Sequence, residues 1–220
     1  MTLPPFQPLL EHFGIAVAAV TGVLAARGKR IDLFGVLVLA LVTAFGGGTV
    51  RDLLVGDTPV VWLRSPAFLF NASTTALLAF FVARTWNLPR QVLLVADAFA
   101  LALFTTIGVR KGITLALSAP VAVLLGVVTG VAGGILRDVL IGEVPLVFQP
   151  EIRLYATAAL AGAIAFTLLH HFGAVEPATT VAGVLLIIGL RLAGIRWRLS
   201  LPVFEAREST SGGVKKEFIR

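Results

Sequence analysis

Cysteine is absent from this chain of 220 residues, and charge is scarce: Asp, Glu, Lys and Arg together make up 14%. Without cysteine there is no disulfide framework, no thiol nucleophile and no Cys-ligated metal. Soluble domains carry about a quarter charged residues, so this chain cannot coat one. A basic opening segment is missing too. Met1–Gln7 holds two prolines and no Lys or Arg, so a cleaved signal peptide is not expected. No HExxH spacing, phosphate loop or nucleophile–base pair is found, and no enzyme or resident cofactor is expected. What is present is apolar surface, at 57% hydrophobic residues and a mean hydropathy of +0.95. An integral membrane protein follows. The formal charge of +6 lies between the apolar runs and near the C-terminus. There it sets orientation rather than nucleic-acid binding.

A membrane-crossing helix needs about 20 mostly apolar residues, and seven such runs are found. They cover roughly 9–26, 33–56, 65–83, 91–109, 113–142, 153–170 and 177–195. The expected fold is all-α and polytopic, one transmembrane domain over 1–200. Long unbroken apolar runs are unlike the short alternating strands of a β-barrel. With the N-terminus outside, 14 of the 18 basic residues fall on the cytoplasmic side, leaving Arg51, Arg64, Arg110 and Lys111 outside. A prokaryotic inner membrane fits, with the C-terminus cytoplasmic. Residues 201–220 are polar and read as a mobile cytoplasmic tail. Trp62, Trp86 and Trp197 stand at span ends, as an aromatic belt would place them. His170-His171 and Glu11-His12 read as interfacial.

The chain repeats itself. Thr43–Leu63 aligns without gaps on Thr129–Gln149, with nine of 21 positions identical at an offset of 86. The shared pattern is G-G-x-x-R-D-x-L-x-G-x-x-P. Further upstream the match shifts by two, setting Ala26-Arg27-Gly28 against Arg110-Lys111-Gly112. Three spans separate the copies, and an odd number inverts the second, so two inverted three-helix repeats are expected, about 9–84 and 90–171, with a seventh helix at about 177–195. Binding and permeation sites in such folds lie near the midplane, where the repeats meet.

Two readings of the motif stay open. Gly46, Gly47 and Gly48, with Gly133 and Gly134, either kink the second and fifth spans and open a polar path, or let those helices pack closely. Arg51-Asp52 and Arg137-Asp138 are either buried and functional or set at helix ends, fixing the turns that follow. Symmetry suggests a crossed arrangement, with Arg51 near Asp138 and Arg137 near Asp52. Asp97 lies inside the fourth span and needs a partner: Arg51, Arg137 or a hydroxyl among Thr43, Thr49 and Thr129.

The doubled motif, the seven spans and the inverted halves resemble the prokaryotic branch of the trimeric intracellular cation (TRIC) channel family. The same motif marks bacterial membrane proteins with a glycine transporter domain. The resemblance covers roughly residues 11–195. It implies a homotrimer, with one path for monovalent cations, chiefly potassium, through each subunit between the two repeats. The glycine-kinked helices stand at its centre. It carries the family's glycine motifs onto Gly46–Gly48 and Gly133–Gly134. Animal relatives have a lysine-centred, phosphoinositide-linked motif before the fifth span. Here that stretch reads Gly108-Val109-Arg110-Lys111-Gly112, which does not reproduce it, though anionic lipid near Arg110 and Lys111 stays open. The expected function is a potassium-permeable channel, with Asp52, Asp97 and Asp138 attracting cations and Arg51 and Arg137 gating or holding them. The alternative is a secondary transporter of a small zwitterion such as glycine.

Overall fold

The structure, a computed structural model, describes residues 6–149 and 154–197. The tail expected to be mobile, 201–220, lies outside the described residues, as does Arg153. Among the described residues there are eight α-helices and one 3₁₀ turn, and no strand. The helices are α1 (Phe6–Ala25), α2 (Leu33–Leu54), α3 (Val61–Arg64), α4 (Pro66–Thr85), α5 (Arg90–Thr114), α6 (Ala119–Leu140), α7 (Ala156–His171) and α8 (Glu176–Trp197). Six of them, all but α3 and α7, are long and apolar enough to cross a membrane. At 16 residues α7 is shorter.

The helix ends follow from sequence chemistry. Asp32 caps α2 by accepting a hydrogen bond from Gly35 N at 2.8 Å. α4 and α6 each begin with proline in the first turn, where its missing N–H costs nothing. α2 and α6 end alike. Gly56 and Gly142 take left-handed φ of 68° and 71°. Asp57 N then reaches Asp52 O at 2.8 Å, and Glu143 N reaches Asp138 O at 2.9 Å. Both ends are Schellman turns, which need glycine at that position.

One boundary differs from expectation. α5 runs on through Arg110 and Lys111 to Thr114, and the turn before α6 falls at 115–118, with Ala116 at φ 53°. The two charges looked like a loop, but each finds an acid while still on the helix. Arg110 pairs with Glu176 at the start of α8. Lys111 pairs with Asp57.

The packing repeats at the sequence offset of 86. A Cβ on Gly22 would come within 2.6 Å of Ala40 Cα and 2.9 Å of Thr43 Oγ1. On Gly108 it would come within 2.8 Å of Gly126 Cα and 2.5 Å of Thr129 Oγ1. The α1–α2 and α5–α6 crossings therefore use equivalent residues, and the expected upstream shift by two is not kept. α2 and α6 meet at a third crossing. There a Cβ on Gly47 would strike Thr129 O, and one on Gly133 would lie 2.5 Å from Thr43 O. As one helix advances from 43 to 47 the other retreats from 133 to 129, so the two are antiparallel.

Candidate functional site

Both Arg–Asp pairs are buried in the last turn of their helices. Arg51 Nε donates to Asp52 Oδ1 at 2.8 Å, and Arg137 Nε donates to Asp138 Oδ1 at 2.7 Å. The second carboxylate oxygen of each aspartate accepts a backbone N–H from the chain beyond the turn: Val61 N at 3.0 Å for Asp52, Leu146 N at 2.8 Å for Asp138. Each pair is thus buried and also fastens the turn after it, joining what had been two separate readings.

The crossed pairing does not occur. Each arginine binds its own neighbouring aspartate, because a long guanidinium can fold back across the 100° between successive helical positions. The antiparallel crossing also drives the two motifs apart. Arg51 lies level with a point about 13 residues, or roughly 20 Å of helix, from Asp138. Crossed ion pairs do exist one turn further out. Asp57, after α2, binds Lys111 of α5 and Arg64. Glu143, after α6, binds Lys29 beyond α1 at 2.7 Å. Bonds from Arg64 first and Lys111 next hold the Asp57 carboxyl down at about 2.

Asp97 is partnered by Arg137, whose Nη1 lies 3.0 Å from Asp97 Oδ1. A second cation joins it. Arg191 of α8 is fully buried, with Nη2 3.7 Å from Asp97 Oδ2 and its guanidinium carbon 4.5 Å from the Tyr155 ring centroid. The charge pattern of the sequence puts Arg191 among the cytoplasmic charges, yet it sits inside the seventh apolar run between Leu190 and Leu192. An arginine so placed is a buried charge by position alone. Glu11, expected at headgroup level, is half-buried and lines a cavity beside Arg51. Trp62 is half-buried, donating to Thr49 Oγ1 at 3.1 Å and stacking on Phe45.

Three cavities follow one another along α1 and α5, the first bordered also by α6, the central one by α2 and α6, and the third by α2. The widest, about 330 Å³, is lined by Arg27, Arg90, Asp138 and Glu143 among others. The central one, about 20 Å³, is lined by Thr21, Thr43, Asp97, Thr129, Arg137 and Tyr155 with the crossing glycines. The third, about 30 Å³, is lined by Glu11, Gly48, Arg51 and Asp52. Along α1 their lining moves from Ala25 through Thr21 to Glu11; along α5 it moves from Leu93 through Asp97 to Ile107. The Arg137–Asp138 pair stands between the first and second cavities, and Phe104 lines both the second and third. The central space holds roughly one water.

The glycines divide by task. α2 and α6 continue as helix through all five. Gly46, Gly47 and Gly133 permit the close crossing. Gly48 has only Arg51 Nη2 near its open side, at 3.8 Å, and Gly134 faces Tyr155 Oη, Arg137 and Asp97. No cluster of metal-ligating side chains occurs among the described residues.

The profile of a family described as glycine transporter matches twice, at residues 8–84 and 94–171. A UPF0126 membrane protein of Vibrio cholerae is 45% identical over 89% of this chain and 82% of its own length. The UPF0126 inner membrane protein YadS of Escherichia coli K12 is 43% identical over 91% and 97%. Among solved structures, the TRIC trimeric intracellular cation channel orthologue from Rhodobacter sphaeroides superposes with a TM-score of 0.84 at 39% identity, covering 89% of this chain and all of that one. A prokaryotic TRIC channel in 0.5 M KCl gives 0.82 at 27%, covering 89% and 98%. With a twice-matching profile, relatives named as membrane proteins and this shared fold, the chain is an integral membrane protein belonging to the prokaryotic branch of the TRIC channel family.

Proposed function

We propose that this protein is a cation channel permeable to potassium and sodium, with one ion path in each subunit of a homotrimer. The observation that carries the reading is the file of three cavities along α1 and α5, bordered by Asp52, Asp97 and Asp138. The fold shared with solved cation channels supports it, and their trimeric naming supports the assembly. In this reading α7 completes seven spans, and the 86-residue equivalences make α1, α2 and α4 the inverted counterpart of α5, α6 and α7. Gating centres on Gly46–Gly48 and Gly133–Gly134: Gly46, Gly47 and Gly133 lie where α2 and α6 pack closely, and Gly48 and Gly134 face the side chains of Arg51 and Arg137. Small movements there open or close the central space. Arg110 and Lys111 are engaged by Glu176 and Asp57, which favours a latch that follows gating over a lipid-headgroup site.

Orientation rests on charge. Setting aside the buried arginines 51, 110, 137 and 191, Arg27, Lys29, Arg30, Arg84 and Arg90 outweigh Arg64 and Lys111. That supports an N-terminus outside a bacterial inner membrane and a C-terminus in the cytoplasm. A zwitterion carrier is less well supported, since a central cavity with room for one water does not hold a molecule of five heavy atoms. The test is single-channel recording from purified protein in a planar bilayer under a potassium gradient, beside Asp138→Asn. Discrete cation-selective steps, reduced by the substitution at the mouth of the path, are expected. Silence from folded, trimeric wild type refutes the channel.

A further inference from the structure

The central cavity has an unusual chemical lining. Three buried threonines face it, and each hydroxyl donates its proton to a carbonyl of its own helix: Thr21 to Ala18 O at 2.7 Å, Thr43 to Leu39 O at 2.7 Å, Thr129 to Leu125 O at 2.6 Å. A hydroxyl has one proton and two lone pairs. With the proton committed, the oxygen offers the cavity only lone pairs. Two of the three, Thr43 and Thr129, are equivalents at the offset of 86 and flank the α2–α6 crossing. Among the described residues, the only acid lining the space is Asp97.

We propose that this cavity is a binding site for one dehydrated monovalent cation, with the hydroxyl oxygens of Thr21, Thr43 and Thr129 as neutral ligands and Asp97 as the balancing charge. The proposal rests on the channel reading and goes beyond it by naming the ligand set. Size and charge select the class. The space admits one bare ion or one water but no hydrated ion, so protein oxygens must replace the hydration shell. A single carboxylate is too little charge for a divalent ion, which gathers six or more oxygens, several of them anionic.

Arg137 is the built-in competitor for this site. Its Nη1 holds Asp97 Oδ1, while its Nη2 is buried with no hydrogen-bond partner among the described residues. Asp97 Oδ2 also lacks a hydrogen bond, with Arg191 Nη2 at 3.7 Å. A cation entering the cavity takes the place of the Arg137 guanidinium on Asp97. Arg137 then remains anchored through Nε to Asp138. The guanidinium acts as a tethered cation that closes the path when no ion is present.

Hydroxyls bonded within their own helix are common in membrane helices, so the test must separate ligands from fillers. Thr43→Val and Thr129→Val keep the volume and remove the oxygen, whereas the serine variants keep the oxygen. Two readouts apply to each purified protein. One is the unitary potassium current; the other is the rise in thermal midpoint when N-methyl-D-glucamine is exchanged for potassium or thallium. Either valine should cut the current about tenfold, as befits one lost contact to a charged group. It should also abolish the potassium-dependent stabilisation, and serine should restore both. Wild-type current and wild-type stabilisation in both valine variants overturn the site. Should those variants fail to fold, Thr21→Val on α1 carries the same expectation and the same refutation. If wild type is silent but potassium still stabilises it through Thr43 and Thr129, the channel reading fails and the site stands.

Discussion

Arg51 and Arg137 occupy equivalent positions, bind their neighbouring aspartates with the same nitrogen and fasten equivalent turns, yet their surroundings differ. Arg137 is drawn into a sealed network with Asp97, Arg191 and Tyr155. At the same offset, Asp97 corresponds to Glu11 and Tyr155 to Leu69. Glu11 lines the cavity beside Arg51, but no ion pair joins them among the described residues. Arg191 comes from α8, which lies outside both matched segments. The duplicated residues therefore build the local clamp, turn and crossing. The residues that are not duplicated turn one clamp into a buried charged network beside the central cavity.

That contrast is testable by removing each arginine. Arg137→Gln removes the bonds to two buried carboxylates, leaving Asp97 only the more distant Arg191, and breaking a buried pair in this way costs about 3–5 kcal/mol. Arg51→Gln removes charge-assisted bonds to a single aspartate and should cost about 1.5–3 kcal/mol. The measurement is the thermal midpoint of the detergent-solubilised protein. Adding Asp97→Asn to Arg137→Gln should recover part of the loss, since the remaining charges then balance better. Equal losses for the two single variants would break the asymmetry between the clamps.

The bundle was legible because apolar runs of membrane length announce themselves, and the doubled G-G-x-x-R-D pattern marked α2 and α6 before any coordinates. Pairing was not legible. Whether Arg51 reaches Asp52 or Asp138 depends on where two helices cross, and the crossing is set by Gly47 and Gly133 against Thr129 and Thr43. Sequence symmetry is silent about that register. Arg110 and Arg191 were misplaced for a common reason: a basic residue near the end of an apolar run reads as a loop charge until its acid is located, and Glu176 and Asp97 are far away in sequence. Glu11 lies inside α1, beyond its first turn, and its offset of 86 from Asp97 marks it as that acid's counterpart, which an upstream register shifted by two obscures.

The glycines extend the comparison at a smaller scale. Gly47→Ala and Gly133→Ala push a methyl into backbone oxygen of the facing helix. Overpacking of this kind costs about 1–3 kcal/mol, and the two losses should match because the contacts are equivalent. Gly48 and Gly134 should not match. A Cβ at Gly48 meets nothing closer than 3.8 Å, so alanine there should be neutral or stabilise by up to about 1 kcal/mol through helix propensity. At Gly134 it meets Tyr155 Oη at 3.1 Å, and alanine should lower the thermal midpoint and disturb the current. An equally mild result at both positions would show that Tyr155 can yield, and that the second clamp is less tightly sealed than its geometry implies.

The smallest effects belong to the outer crossed pairs, where exposure screens the charges. Lys29–Glu143 is more than a third exposed on both sides, and such pairs contribute about 0–1 kcal/mol. Asp57 differs because two cations hold it, which sets its carboxyl at about 2 instead of the ordinary 3.8. A carboxylate whose value is lowered by folding stabilises the fold fully above its ordinary value and loses that contribution as pH falls through the lowered one. The Asp57–Lys111 link between the end of α2 and α5 should therefore persist at pH 4 and give way between there and about 2. Thermal midpoints across that range should drop more steeply for wild type than for Asp57→Asn, which lacks the titrating group. At neutral pH Glu143→Gln should change the midpoint less than Asp57→Asn. If the two cost the same, the two outer latches are as alike as the clamps beneath them are different.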